Sequence, residues 1–556
     1  MEIGELRGKI DELDDEIVRL LCARMRVCAD IAMYKAENGL AVFDPEREGR
    51  KLADVLGKTD DDLRGYMEAI YSRIFETSRE FQNKAQNGTR GPAPGDGGRA
   101  GGKRFGVLGE RLGYSFSQLI HAMLADYEYR LYEIPPGEME GFIRARGFDG
   151  LNVTMPYKKA VLPLCDSLSE AAGRTGSVNT IIRRGDGALH GDNTDYYGFA
   201  YMLGRLSVRV KGKKAVILGD GGSAATARAV LCDSGAGEIV TVSRRGPDNY
   251  GNIDSHSDAQ IVVNTTPVGM HPGNGASPVS LEVFPRCEAV LDLVYNPLKT
   301  ELILQAEDRG IPCAGGLRML VAQAVRASEL FAGRRGADGV GAQCQFSNHA
   351  AAYAPAADYA PAADYAPAAA YAPDMVLPYV PGEQVAIIER ITGTLRRKVR
   401  NIALIGMPGC GKTSVGRRLA ELTGREFCDT DELVAARAGK DIGRIFAEDG
   451  EDAFRDMEEA ILGDVSKKSG YVIATGGGIV KRSANRRLLL QNSTIVFIDR
   501  PAEMLPADGR PLSIKHGVES LYTERQGIYR AWCEHRIAAR CDMERTALAV
   551  REILGV

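Results

Sequence analysis

The chain is 556 residues long, 44 % hydrophobic and 26 % charged, with a net charge of -4. That length exceeds one hydrophobic core, so about three to four domains are expected. The near-neutral charge gives no basis for binding nucleic acid or an anionic membrane surface. No apolar run approaches transmembrane length. The 11 cysteines include no CxxC pair, the seven histidines show no close pairing for zinc, and Met1-Glu-Ile-Gly-Glu opens no signal peptide. Reduced thiols in the cytoplasm are therefore expected.

The first predicted element is a long amphipathic helix. Its apolar residues Ile3, Leu6, Ile10, Leu13, Ile17 and Leu20 alternate steps of three and four, a coiled-coil-like seam. Arg24 takes the next seam position and Val27 and Ile31 resume the pattern; Lys35 shares that face. An arginine on an apolar seam is costly unless an anion meets it. Asp44-Pro45 reads as the cap and first residue of a second helix carrying Arg47 and Glu48. In a third helix, about 62–84, Ser78 and Gln82 continue the stripe of Ile70 and Ile74.

Residues 1–86 resemble the helical (type II) chorismate mutases, an all-α fold. The resemblance implies that Arg7, Arg24, Asp44, Arg47, Glu48 and Ser78 bind chorismate while Lys35 and Gln82 donate to its ether oxygen. It also implies a homodimer in which Arg7 reaches the partner's site. A unimolecular rearrangement needs only a clamp and charge stabilisation, which such a residue set can supply. Two non-catalytic alternatives stay open: a chorismate or prephenate sensor that regulates the rest of the chain, and a plain dimerisation module.

Residues 87–102 are rich in glycine and proline and read as a flexible linker. The next module opens on a strand, Phe105-Gly-Val-Leu-Gly109, running into a loop with Ser115 and Ser117. Asn152-Val-Thr-Met-Pro-Tyr-Lys158 and Gly191-Asp-Asn-Thr-Asp195 each end in a charged group. A lysine can protonate a carbonyl oxygen as it gains charge, and a carboxylate can hold that ammonium in place. The apolar strand Lys214–Leu218 leads into Gly219-Asp-Gly221-Gly222-Ser223 and an Ala-rich helix, a backbone arrangement that admits a pyrophosphate. The strand Glu238–Val242 ends in Ser243-Arg244-Arg245, where arginines favour the extra phosphate of NADP over NAD. Only 19 positions separate Arg245 from Asn264, so the cofactor half should be trimmed there.

With Asn264-Thr-Thr-Pro-Val-Gly-Met270, Asp292-Leu-Val-Tyr295-Asn-Pro and Gly315–Gln323, these motifs resemble the shikimate dehydrogenases over about 103–335. That implies an α/β two-domain fold, with a substrate part at about 103–198 and 306–335 and a Rossmann-like NADP part at about 199–305. By resemblance Lys158 and Asp195 carry proton transfer. Ser115, Ser117, Thr154, Asn179, Tyr295 and Gln323 bind 3-dehydroshikimate, and Gly219, Gly221, Gly222, Ser223, Arg244 and Arg245 bind NADP(H).

From Tyr353 a six-residue repeat places prolines at 355, 361, 367 and 373, so residues 336–397 are expected as an extended spacer. Asn401–Ile405 then reads as a strand entering Gly406-Met-Pro-Gly409-Cys-Gly411-Lys412-Thr413, a complete phosphate-binding loop. With Phe427-Cys-Asp429-Thr-Asp431, Phe454-Arg455-Asp-Met-Glu458 and Gly476-Gly477-Gly478, the stretch 398–556 resembles the shikimate kinases. The resemblance implies an α/β P-loop fold using ATP and Mg2+, with Thr413 and Asp429 at the metal. Asp431 accepts the proton of the attacking hydroxyl, Lys412 and the lid residue Arg510 meet the transferring phosphoryl group, and Arg455, Gly477 and Arg530 bind shikimate. The combined expectation is a three-part enzyme acting on small molecules of aromatic amino-acid biosynthesis.

Overall fold

The computed structural model describes residues 103–112, 116–125, 127–333, 382–505, 517–539 and 542–556, with scattered positions between 13 and 78 that are continuous over 45–60. The linker 87–102, most of the spacer expected over 336–397, and the lid segment with Arg510 lie outside the described residues. The chain divides into two compact units, Met1–Gly101 and Gly102–Val556.

In the first unit most of the described residues are helical, with turn or irregular structure at residues 57–60 and at Leu63. Helix Pro45–Leu56 begins at the proline expected to open it, since proline needs no amide partner at that position. Leu13, Leu20 and Val27, seven residues apart on the expected seam, are exposed.

Among the described residues the second unit contains three sheets. The first is mixed, in the order β2-β1-β3-β5-β6-β4, and is built from β1 (Phe105–Gly109), β2 (Tyr129–Glu133), β3 (Gly150–Val153), β4 (Ser167–Leu168), β5 (Thr180–Arg183) and β6 (Leu189–Asp192). Its register aligns Asn152 with Thr180 and Thr180 with Asp192. Thr154, Asn179 and Asn193, which flank those three, therefore emerge at the same end of the sheet.

The second sheet is parallel, in the order β11-β10-β9-β7-β8, with β7 (Lys214–Leu218), β8 (Glu238–Val242), β9 (Ile261–Asn264), β10 (Ala289–Asp292) and β11 (Cys313–Gly315). Along β7, Ala215 and Ile217 enter one core while Val216 and Leu218 enter another, as a parallel sheet covered on both faces requires. Between β8 and β9 the helical structure is a single 3-10 turn, Ile253–His256, which matches the trimmed connection expected there. Strand order reverses at β7, so the carboxyl ends of β7 and β9 flank a crevice of the kind that binds nucleotides.

Helices Thr194–Gly204 and Leu317–Phe331 pack on one another. A Cβ on Gly198 would lie 2.6 Å from the Met319 carbonyl oxygen and 3.1 Å from Gln323 Cβ, so glycine sets how closely these two helices approach.

The third sheet is parallel, in the order β13-β14-β12-β15-β16, with β12 (Asn401–Ile405), β13 (Glu426–Asp429), β14 (Tyr471–Ala474), β15 (Ser493–Asp499) and β16 (His535–Ala538). Every residue of β12 and β15 is buried.

The spacer expected to reach residue 397 overlaps helical structure. Residues Gly382–Val399 form an 18-residue helix, the lead helix, ahead of β12. Its proline-free sequence repeats apolar residues at Val385, Ile388, Ile391, Leu395 and Val399, an amphipathic stripe that the Ala/Pro repeat upstream lacks.

Candidate active sites

At the end of the mixed sheet, Lys158 Nζ donates to Asp195 Oδ2 at 2.6 Å. Asp195 lies in the first turn of helix Thr194–Gly204, where the helix dipole favours a carboxylate. The Lys158 carbonyl accepts from Val178 N at 2.8 Å, which brings Asn179 alongside. Asn179 Oδ1 accepts from Thr194 N at 2.7 Å and from the hydroxyls of Thr194 and Thr180 at 3.2 and 3.1 Å. Thr194 Oγ1 also donates to Gln323 Oε1 at 3.4 Å. Four of the expected residues, Lys158, Asn179, Asp195 and Gln323, are thus drawn together by strand ends, the N-terminus of one helix and the middle of helix Leu317–Phe331. Thr154 follows β3, its amide bonded to the Leu108 carbonyl at 2.9 Å. Tyr295 packs at a tilt on Phe116, next to half-buried Ser117, and burial raises its phenol pKa. Ser115 lies outside the described residues.

A second layer of buried polar groups stands behind this cluster. Asn152 Nδ2 donates to Thr180 Oγ1 at 3.1 Å and Asn152 Oδ1 accepts from Tyr129 at 2.7 Å. His121 stacks on Tyr129, and burial lowers its pKa to about 3, so it stays neutral. His121, Tyr129 and Thr180 were not singled out from sequence, and Asn152 only as the first residue of its motif; a histidine inside an apolar run was the available signal.

In the parallel central sheet, Gly219 has φ +103, and a Cβ there would meet Thr265 Oγ1 at 2.8 Å, so only glycine suits this turn. Gly221 and Gly222 face open space. Gly221 precedes helix Gly222–Asp233 without a side-chain cap, which leaves the first amides of that helix available to an anion. Ser223 is half-buried, whereas Arg244 and Arg245 are exposed just past β8.

The C-terminal site collects at the carboxyl ends of β12, β13 and β14. Lys412 is buried and donates to the carbonyls of Gly406 and Met407, both at 2.9 Å. Gly411 precedes the helix that starts at Lys412, again without a side-chain cap, and Gly409 sits in the same loop. Thr413 Oγ1 donates to Asp429 Oδ2 at 2.6 Å, while Asp429 Oδ1 caps the next helix through Asp431 N at 2.9 Å.

Asp431 is raised to about 6, first by burial and then by the neighbouring carboxylates Glu458 and Asp429. Its Oδ1 is buried without a partner. Gly476 lies against both Asp431 Oδ1 and Glu458 Oε1, and Gly478 against the Arg455 guanidinium. Arg455 is buried and bonded to Glu458 Oε2 at 2.6 Å.

One expected residue is displaced from this cluster. Arg530 is exposed on helix Val518–Trp532, because it follows the buried Tyr529 by one position and so points off the packed face. The arginine that reaches the glycine turn is Arg525: its Nη1 donates to the Gly477 carbonyl at 3.1 Å, beside the Tyr529 hydroxyl on the same oxygen at 2.5 Å. Arg525 Nη2 is buried without a hydrogen-bond partner, and its Nε lies 3.8 Å from Glu524 Oε1. The i, i+4 spacing of Arg525 and Tyr529 was the sequence signal for a shared face.

Thr413 and Asp429 offer two hard oxygen donors beside a phosphate loop, which fits magnesium held largely by phosphate and water. Among the described residues no group of three or more His, Cys, Asp or Glu could hold a metal. Within the described residues no helix is long and apolar enough to cross a membrane.

In the first unit, Arg24 donates through Nη1 to the hydroxyl of Ser78, which is buried and in turn donates to the Ile74 carbonyl at 2.5 Å. Two residues expected on facing helices therefore meet. Lys35 and Glu48 are half-buried and Arg47 is exposed, while Arg7, Asp44 and Gln82 lie outside the described residues.

Three family models match the chain: chorismate mutase type II over residues 6–83, the shikimate dehydrogenase substrate binding domain over 107–181, and shikimate kinase over 408–554. A shikimate dehydrogenase (NADP(+)) of Clostridium perfringens strain 13 is 36 % identical over 252 residues, 42 % of this chain and 93 % of the relative. One from Thermococcus kodakarensis is 35 % identical over 260 residues, again 42 % of this chain and 93 % of the relative. The crystal structure of a chorismate mutase/shikimate 5-dehydrogenase fusion protein from Clostridium acetobutylicum is 33 % identical, covers 42 % of this chain and 92 % of its own, and has a TM-score of 0.40.

Proposed function

We propose that this chain, which belongs to the shikimate dehydrogenase family and joins it to a type II chorismate mutase domain and a shikimate kinase domain, catalyses three reactions of aromatic amino-acid biosynthesis. The dehydrogenase reduces 3-dehydroshikimate to shikimate with NADPH, the kinase phosphorylates the shikimate 3-hydroxyl with ATP, and the mutase converts chorismate to prephenate.

The observation that carries the reading is the 2.6 Å Lys158–Asp195 pair beside Asn179, Thr194 and Gln323. Gly219, Gly221, Gly222 and Ser223 would hold NADPH, with Arg244 and Arg245 toward its extra phosphate, and bound there it would supply a hydride for the ketone carbon. Lys158 gives a proton to the ketone oxygen, so ketone, hydride and proton together make the alcohol. Asp195 orients the ammonium and favours its return to the charged form. Asn179 and Thr154 bind ring hydroxyls, Ser115 and Ser117 hold the substrate carboxylate, and Tyr295 and Gln323 line the cleft.

In the kinase, Thr413 and Asp429 would hold magnesium with ATP, which would supply charge neutralisation at the phosphates. Asp431 takes the proton of the attacking hydroxyl, and its pKa of about 6 suits a base working near neutrality. Lys412 and Arg510 stabilise the transferred group. Arg455 and Arg525 face the substrate carboxylate; the buried Nη2 of Arg525, which has no hydrogen-bond acceptor, supports this, since a buried donor left unsatisfied is costly until an anion arrives. In the mutase, the Arg24–Ser78 contact supports a chorismate clamp completed by Arg7, Lys35, Asp44, Arg47, Glu48 and Gln82. The exposed seam residues Leu13, Leu20 and Val27 support a homodimer through this module.

The test mixes purified protein with 3-dehydroshikimate, NADPH and MgATP and follows NADPH together with phosphorylated product. Loss of NADPH with accumulation of shikimate 3-phosphate is expected. Flat NADPH while added shikimate is still phosphorylated would refute the dehydrogenase assignment.

A further inference from the structure

Helix Gly222–Asp233 offers uncapped first amides at one end and a carboxylate at the other. Asp233, its last residue, faces the negative end of the helix dipole, where a cation rather than an anion stabilises a helix. The position does nothing for the helix itself, so its use lies in what the carboxylate holds. Arg174 closes on it with two hydrogen bonds, Nη1 to Oδ2 at 2.8 Å and Nη2 to Oδ1 at 2.6 Å. The Tyr196 hydroxyl donates to the same Oδ2 at 2.5 Å.

The three residues come from different layers. Arg174 lies in the last turn of helix Glu170–Thr175, between β4 and β5 of the mixed sheet. Asp233 ends the helix between β7 and β8 of the parallel sheet. Tyr196 follows Asp195 and packs against the core that contains Ala224, Ala227 and Leu231 of the Asp233 helix. Beside Arg174, Thr175 Oγ1 accepts from Asn193 Nδ2 at 2.8 Å, and Asn193 Nδ2 also donates to Ser177 Oγ at 2.9 Å. Asn193 precedes Thr194, whose amide holds Asn179. A closed ring of contacts thus runs from Arg174 through Thr175, Asn193, Asp195 and Tyr196 to Asp233 and back. The helix of 12 residues is about 18 Å long, so one rod joins the amides that face the cofactor to the neighbour of Asp195. Side-chain exposures of 40 % for Arg174 and 25 % for Asp233 leave the ion pair little weight as stability. A two-pronged arginine–carboxylate contact instead fixes orientation.

We propose that Asp233 and Tyr196 are positioning residues of the dehydrogenase. Their clasp with Arg174 fixes how the cofactor-facing helix sits against the helix that carries Asp195, and so sets the distance between the hydride donor and the Lys158–Asp195 pair. None of the three takes part in proton or hydride transfer. The effect on reduction rests on the function proposed above; the clasp does not.

Two measurements on the full chain test this. In the first, amide hydrogen exchange is followed by mass spectrometry without substrates. Asp233→Ala should speed exchange at residues 170–176 about two- to fivefold, the range that a partly exposed ion pair supports, and leave the kinase strand 401–405 unchanged. Unchanged exchange at 170–176 shows that the clasp is not closed in solution and overturns the proposal. In the second, reduction is compared with NADPH and with NADPH carrying deuterium at the transferred position. Asp233→Ala and Tyr196→Phe, which keeps the ring in the core, should each lower kcat about tenfold through misplacement of the reacting groups. The KM for 3-dehydroshikimate and the rate of shikimate phosphorylation should stay nearly unchanged. The deuterium isotope effect on kcat should grow, because misplacement makes hydride transfer the slow step. Asp233→Asn, which still accepts from Tyr196, should recover part of the loss. An unchanged kcat and isotope effect in both variants overturn the positioning role. If the unsubstituted chain reduces no 3-dehydroshikimate, the functional reading fails while exchange at 170–176 still decides the clasp.

Discussion

Lys158 and Asp195 are only partly exposed, 24 % and 13 % at the side chain, so their pairing is shielded without being sealed from substrate. Lys158→Met removes the proton donor without a large change of volume, and should slow reduction by roughly 10²–10⁴-fold, the usual span for a general acid. Stopped-flow NADPH absorbance would read the loss, with shikimate phosphorylation as the unchanged internal control. Asp431 makes a different prediction because burial and two carboxylates raise it to about 6. Kinase turnover should rise with pH through about 6 as this base ionises. Glu458→Gln removes one like charge, so the acid limb should move to lower pH; a limb that stays put would remove Asp431 as its source. The stability sign is opposite. A carboxyl raised on folding contributes stability that is fully present below its unfolded pKa and is lost as pH rises through about 6. Asp431→Asn should therefore raise the melting temperature of the kinase more at pH ~8 than at pH ~5, while abolishing turnover.

At the scale of elements, Gly198 is where two helices of the dehydrogenase approach closely. Gly198→Val would press a branched side chain into the Met319 carbonyl and Gln323 Cβ, whose ideal-Cβ distances are already 2.6 and 3.1 Å. Overpacking of this kind costs about 1–3 kcal/mol. The expected outcome is a lower midpoint in urea together with a raised KM for 3-dehydroshikimate, because the displaced helices carry Asp195 and Gln323. Several elements were legible in the sequence to the residue. Strands Lys214–Leu218 and Glu238–Val242 fall where apolar runs met glycine or arginine, and the helix at Pro45 begins at its cap signal. The lead helix was not legible as structure, because the proline repeat ahead of it set the reading for the whole spacer. Its own stripe and its basic last turn, Arg396, Arg397 and Lys398, were the counter-signals.

At the scale of the whole molecule, the second unit holds dehydrogenase and kinase together, with Arg487 and the lead helix between them. The first unit carries exposed Leu13, Leu20 and Val27 on one seam, at 63, 52 and 56 % exposure. Leu20→Glu would place a charge on that seam, and should halve the mass of the particle in light scattering and abolish chorismate turnover with it. A monomer that still turns over chorismate would argue against a site shared between subunits. Arg24→Ala separates an enzyme from a sensor: loss of chorismate turnover with the other two rates intact supports the enzyme.

The sequence by itself determined which chemistries stand in the chain and in what order, because that information is carried by short contiguous motifs. A phosphate loop needs its glycines, lysine and threonine within eight residues, and 406–413 supplies them. Which arginine meets the glycine turn was decided only in three dimensions. Arg525 and Arg530 sit on the same helix, and helical phase against Tyr529 and Gly477 buries one and exposes the other. The same holds for the lead helix: its sequence specifies an apolar face, whereas the neighbour that covers that face is set by packing between segments far apart in the chain.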